Sequence, residues 1–180
     1  MKQIVIFASG SGSTFEYLVQ HAADVYSVAG MFCDRAHAGV ISRARRLNVP
    51  YYIVDNRNKW QKSLDQLQPD LIVLAGYLKL LPHNIVSRFQ VINTHPALLP
   101  SYGGKGFYGD RVHQAVLHAG ETVSGVTIHR VDREYDRGEI LVQQSVPVHP
   151  DDTVIRLAGR VQAVEKPLLF ETIKQLLEAQ

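Results

Sequence analysis

Apolar residues along the chain fall into two alternating patterns. Ile4-Val5-Ile6-Phe7-Ala8 and Leu71-Ile72-Val73-Leu74-Ala75 are apolar at every position. Runs this short and unbroken predict strands covered on both faces. Between such runs the apolar positions recur at three and four: Phe15, Leu18, Val19; Ala38, Val40, Ile41, Ala44, Leu47; Trp60, Leu64, Leu67. That is the spacing of an amphipathic helix. Further strands are expected over residues 25–33 and 51–54 and into Asn93, with a short helix through Ile85, Val86 and Phe89. Strand and helix alternate as far as residue 95, which predicts an α/β fold: a mainly parallel, Rossmann-like sheet with helices on both faces.

The pattern then changes. Residues 101–109, rich in glycine and aromatics, predict a mobile loop over the carboxyl edge of the sheet. Asp110 opens a helix carrying Val112, Ala115, Val116 and Leu117. Two extended runs, 123–131 and 139–148, flank the charged loop 132–138 and predict an antiparallel C-terminal extension of the sheet. Asp151, Asp152 and Thr153 cap a last helix, which Pro167 should bend. With no repeat and no linker composition, residues 1–180 are expected to form a single domain.

In open α/β sheets ligands bind beyond the carboxyl ends of the strands. That rule brings together residues 9–14, 76–81 and 93–96. Ser9-Gly10-Ser11-Gly12-Ser13-Thr14 links a strand to a helix start, where backbone amides and the helix dipole favour an anion. It is neither a full dinucleotide fingerprint nor a Walker loop. The competing reading is a tight turn with Ser or Thr capping the helix. Asn93 and His95 lie two apart, so on a strand they share a face, and Pro96 stops the strand at once. An amide beside an imidazole can polarise a carbonyl and hold an oxyanion. The plainer alternative is a polar strand end that caps a loop.

Composition removes several classes of function. The 180 residues are 46% hydrophobic and 20% charged, with net charge +2. No basic block suggests a nucleic-acid face, and Arg43, Arg45 and Arg46 read as a solvated helix face. Cys33 is the only cysteine, so an internal disulfide and a cysteine-based zinc site are excluded, and it reads as an inert core thiol. No apolar run approaches the roughly 20 residues of a membrane span. A cytoplasmic protein without nucleic-acid or membrane partners is expected. Of the histidines, His21, His118 and His149 read as surface residues, and His113 and His129 as hydrogen-bonded structural ones. Asp132 and Glu134 read as solvated loop charges.

Ser9-Gly10-Ser11-Gly12-Ser13, Leu74-Ala75-Gly76-Tyr77, the run from Asn93 through Thr94-His95-Pro96-Ala97-Leu98-Leu99 to Pro100, and Tyr135-Asp136-Arg137-Gly138 together resemble the folate-dependent formyltransferases, in order and over nearly the whole chain. Within that family the branch acting on glycinamide ribonucleotide in purine synthesis is the nearest in pattern. The resemblance implies 10-formyltetrahydrofolate as co-substrate, glycinamide ribonucleotide as acceptor and no metal, in a monomer or homodimer. It implies a catalytic trio of Asn93, His95 and Asp136. Gly10, Ser11, Gly12 and Ser13 would hold the substrate phosphate, with Gln162 and Glu165 near phosphate and ribose. Tyr77, Leu78, Lys79, Leu80, Leu81, Val131 and Tyr135 would line the folate pocket.

Ala97 departs from the family's usual Ser, Ser11 from a common Asn, and the glycine-rich loop lacks a histidine many members carry. In the implied reaction an amine attacks the formyl carbon. Asn93 and His95 stabilise the oxyanion, and Asp136 orients His95, through water, and relays the proton. Rival readings are a formyltransferase for another amine, such as a nucleotide amino-sugar or an aminoacylated tRNA, and a formyltetrahydrofolate hydrolase. The tRNA enzyme would carry an added C-terminal domain and the hydrolase an N-terminal one. A non-catalytic nucleotide-binding Rossmann module would instead use Asp34 to hold a ribose.

Overall fold

The computed structural model describes residues 1–57 and 59–179. Its first half alternates as the apolar pattern predicts: β1 (Lys2–Phe7), α1 (Ser13–His21), β2 (Tyr26–Cys33), α2 (Gly39–Arg46), β3 (Tyr51–Ile53), α3 (Lys59–Leu67), β4 (Leu71–Leu74), α4 (His83–Val86) and β5 (Val91–His95). α5 (Asp110–His118), β6 (Val123–Arg130), β7 (Ile140–Pro147) and α6 (Val154–Glu178) follow. The strands form one seven-stranded sheet in the order β3-β2-β1-β4-β5-β6-β7. β1 to β5 pair in parallel, and β6 and β7 add antiparallel.

The unbroken apolar strands follow from two cores, one on each face. Ile4 and Ile6 of β1 pack under α1, α2, α5 and α6, whereas Val5 and Phe7 pack against Trp60 and Leu64 of α3 and Ile85 of α4. With side chains alternating across the sheet, both sets must be apolar. The chain winds outward from β1 to β3, then returns to the other side of β1 at β4. The loops after β1 and β4 therefore diverge, and a crevice opens between them.

At the last helix Thr153 accepts a hydrogen bond from the Arg156 amide, as the capping pattern implies. Pro167 does not end α6. Leu157 and Val161 before it, and Leu169, Ile173 and Leu177 after it, are buried in the same core. That packing carries the helix across the missing amide. At α1 the hydroxyl cap of the competing reading is absent: Gly12 occupies the cap position in left-handed geometry, and no side chain caps the helix. Cys33 is buried, as expected of a core thiol. Among the described residues no helix is long and apolar enough to cross a membrane.

Candidate active site

A cavity of about 560 Å³ lies at the carboxyl ends of β1, β4 and β5. Every site residue that the family resemblance implies lines it: Gly10 to Ser13, Tyr77 to Leu81, Asn93, His95, Val131, Tyr135, Asp136, Gln162 and Glu165. β5 ends at His95, directly before Pro96. Asn93 and His95 project to one face, and Thr94 projects to the other, towards α6.

Asp136 reaches this edge from the loop between β6 and β7. It adopts left-handed backbone geometry, with φ 56°. Two residues on, a Cβ at Gly138 would fall 1.8 Å from the Arg130 carbonyl oxygen. Only glycine lets the loop cross β6 this closely, which gives the Asp-x-Gly pattern a physical cause. The carboxylate then accepts from the Gly104 amide at 2.8 Å and from Asn93 Nδ2 at 3.4 Å. His95 Nδ1 lies 3.6 Å from it and His129 Nε2 3.4 Å.

Carbonyl partners fix the imidazole tautomers, because a carbonyl can only accept. His129 Nδ1 donates to the Arg130 carbonyl at 2.8 Å. In the neutral ring Nε2 is therefore an acceptor, and it takes a proton of the Asn93 amide at 3.1 Å. His95 Nε2 donates to the Tyr102 carbonyl at 2.7 Å, which leaves Nδ1 facing the Asp136 carboxylate. A neutral His95 presents a lone pair to that anion, and the added proton of an imidazolium would sit between them.

Burial lowers the pKa of His95 below its ordinary value, and Asp136 opposes the shift. Burial alone would raise that of Asp136, but a proton on His129 Nε2 or His95 Nδ1, with the Gly104 amide, outweighs it and holds the carboxyl below its ordinary range. On the α6 side, burial raises the pKa of Glu165, with Thr94 and Lys166 opposing.

Sequence reasoning read His129 as structural, and the structure puts it in the site. Its position follows from register: in the antiparallel pair β5–β6, Asn93 faces His129 and His95 faces Thr127. Thr127 in turn donates to the Ala97 carbonyl and accepts from the Leu99 amide, which fixes the turn after Pro96. His113 also lines the cavity. It is buried, but its Nδ1 has no hydrogen-bond partner among the described residues, contrary to its reading as a bonded histidine. Glu134 is exposed, yet it too borders the cavity.

The glycine-rich loop covers the site but is tied down at its start. Besides His95 and Asp136, Glu121 holds it by accepting from the Tyr102 hydroxyl at 2.7 Å. Tyr77 packs edge-on against Phe7 in the core. Asp34 is not presented to a ribose. It accepts from Ser9 Oγ at 2.6 Å and pairs with Lys79, and its side chain is 4% exposed, which removes the feature a nucleotide-binding module would need.

A sheet wound about the β1–β4 crevice brings an amide, two imidazoles and a carboxylate together at the end of β5. The chain belongs to the formyl transferase family, whose model it matches over residues 2–173. It is 36% identical to the chloroplastic phosphoribosylglycinamide formyltransferase of Vigna unguiculata, over 98% of this chain and 61% of that protein. It is 34% identical to the phosphoribosylglycinamide formyltransferase of Bacillus subtilis, over 98% of this chain and 95% of that one. The crystal structure of glycinamide ribonucleotide transformylase 1 from Geobacillus kaustophilus superposes with a TM-score of 0.88 at 34% identity, covering 98% of this chain and 99% of that one. The chain spans less than two thirds of the length of the plant relatives it matches.

Proposed function

We propose that the chain transfers a formyl group from 10-formyltetrahydrofolate to the amine of glycinamide ribonucleotide. The observation that carries this reading is the convergence of Asn93, His95, His129 and Asp136 in the cavity that also holds the glycine loop after β1. The names of the relatives favour this acceptor over other amines.

The size and lining of the cavity support this reading. Its volume lies within the roughly 300–1,000 Å³ usual for small-molecule sites. Leu78, Leu81 and Val131 supply apolar walls for a flat ring system, and the glycine loop supplies amides for a phosphate. The folate co-substrate supplies the formyl group, and the protein supplies its polarisation and the movement of protons. The Asn93 amide spends one proton on His129 and makes only a long contact to Asp136 with the other. That second proton is the one available to the formyl oxygen, and its bond strengthens as the oxygen becomes an anion.

The attacking amine loses a proton and the departing nitrogen gains one. His95 Nδ1 and the Asp136 carboxylate form the place that can hold this proton between the two events. His95 acts through Nδ1, since Tyr102 occupies Nε2. A charged His95 would add its field to the Asn93 hydrogen bond. Formyl transfer to glycinamide ribonucleotide should exceed transfer to a nucleotide amino-sugar or aminoacylated tRNA by orders of magnitude in kcat/KM. A comparable rate on either rival amine would overturn the assignment.

A further inference from the structure

Arg43, Arg45 and Arg46 read as one solvated basic face, but the structure divides them. Arg45 donates to the Tyr51 hydroxyl at 2.8 Å. Arg43 and Arg46 both pair with Glu16 in the first turn of α1. The Nε of Arg43 also donates to the Ser11 carbonyl at 2.8 Å. A second bond joins α2 to the same loop, from the Val40 amide to the Gly10 carbonyl at 3.1 Å.

These two bonds fix more than two carbonyls. In a trans peptide the C=O and the following N–H point in opposite directions. Holding the Gly10 and Ser11 carbonyls against α2 therefore turns the Ser11 and Gly12 amides away from α2. Neither amide has a protein acceptor among the described residues, and both residues line the cavity. Glu16 meanwhile puts a negative charge in the first turn of α1, where a bound anion would be repelled. With two arginines on it, the group of three carries a net positive charge.

We propose that Arg43 is a positioning residue for the phosphate of the acceptor: it orients the Ser11–Gly12 peptide and, with Arg46, reverses the charge that Glu16 places beside the loop. This rests on the reading that residues 10–13 hold that phosphate. Arg43 touches no substrate atom. Val40 holds the neighbouring peptide independently, so losing Arg43 loosens the cradle without abolishing it.

The test compares the ribonucleotide with its dephosphorylated riboside as acceptor, in the wild type and in Arg43→Ala, Arg43→Lys and Gly10→Ala. Arg43→Ala should raise the ribonucleotide KM about tenfold, the scale of one charge-assisted hydrogen bond. Its kcat and the folate KM should stay within about twofold, and the riboside should be unaffected. Arg43→Lys keeps the charge on Glu16 but cannot also reach Ser11 in the same fork geometry, so it should recover only part of the loss. The Lys variant decides the matter if the Ala variant does not fold.

A folded Arg43→Lys or Arg43→Ala enzyme with wild-type ribonucleotide KM overturns the proposal. Equal wild-type use of riboside and ribonucleotide overturns the phosphate reading itself. A wild type that prefers the ribonucleotide and is impaired by Gly10→Ala, but not by the Arg43 variants, sinks the clamp alone. Equal losses on riboside and ribonucleotide would reassign Arg43 to general stability.

Discussion

The two ends of the cavity are built by different means. At the β1 end the functional groups are backbone amides, placed by the conformation of a few consecutive residues. Gly12 there has φ 81°, and a Cβ would fall 2.5 Å from Val40 Cγ2. At the β5 end the groups are side chains from two strands and a distant loop, brought together by β5–β6 pairing and by the crossing at Gly138. One end takes its functional groups from the backbone of consecutive residues. The other is non-local and depends on each side chain. Mutations should separate them: changes at the β5 end act on turnover, and changes at the β1 end act on acceptor KM.

The largest effect belongs to Asn93. Asn93→Ala removes a side-chain donor whose second proton is only loosely engaged, and kcat should fall about 10²–10³-fold, the scale of a lost oxyanion donor. Single-turnover kinetics with both substrates saturating would measure it. Near-normal turnover would return Asn93 to the role of a strand-end cap. Asp136→Asn should follow, at about 10²-fold in kcat, the lower range for acid–base catalysis. The amide can still accept from Gly104 but cannot take up the proton shared with His95. Full activity in a stable Asp136→Asn enzyme would exclude the relay.

At the other end, Gly10 separates ligand effects from folding effects. A Cβ at Gly10 meets no protein atom within 4 Å, whereas one at Gly12 collides with Val40. Gly10→Ala should therefore keep its thermal midpoint and raise acceptor KM roughly tenfold, by crowding a close-approaching phosphate. Gly12→Ala should lose stability as well. An unchanged acceptor KM in Gly10→Ala would detach the loop from phosphate binding.

The same local/non-local division decided what the sequence could reveal. The Gly/Ser loop could be read as an anion site because its cause lies within six residues. The strands could be read because both faces of the parallel sheet are apolar. Asn93 and His95 could be paired by spacing alone, but Asp136 entered only through family resemblance, since nothing local to residue 136 points at β5. His129 is hydrogen-bonded, as read, but its place beside the cavity depends on register against Asn93, and a histidine in an extended run carries no mark of the strand it faces. The face of α2 that carries Arg45 and Arg46 is exposed, as read, but the pairing of Arg43 and Arg46 escaped for a related reason. Their partner, Glu16, lies in another helix, and i to i+3 spacing says nothing about contacts between helices.

The smallest effect is on stability and follows from the imidazoles of the β5 end. Burial lowers the pKa of His95, against the pull of Asp136, and also that of His113, against Asp110. His129 lies near His95 and adds to its shift, and His95 does the same to His113. In both cases the folded chain holds the neutral ring more firmly than the unfolded chain does. Above the ordinary histidine value of 6.5 both states are neutral and the contribution is complete. As pH falls below that value the unfolded chain takes up protons first, so unfolding becomes easier. The loss ends only when the folded rings also protonate. Each histidine can add at most about 1.4 kcal/mol per pH unit to that slope. Urea midpoints should therefore be flat from pH 8 to 7 and decline from pH 6.5 to 5.5. His113→Gln should remove part of the decline and leave the share due to His95. At the β1 end no such slope is expected, since its functional groups are backbone amides. A profile that is flat to pH 5.5, or one that steepens in His113→Gln, would show that the buried rings do not resist protonation as their surroundings require.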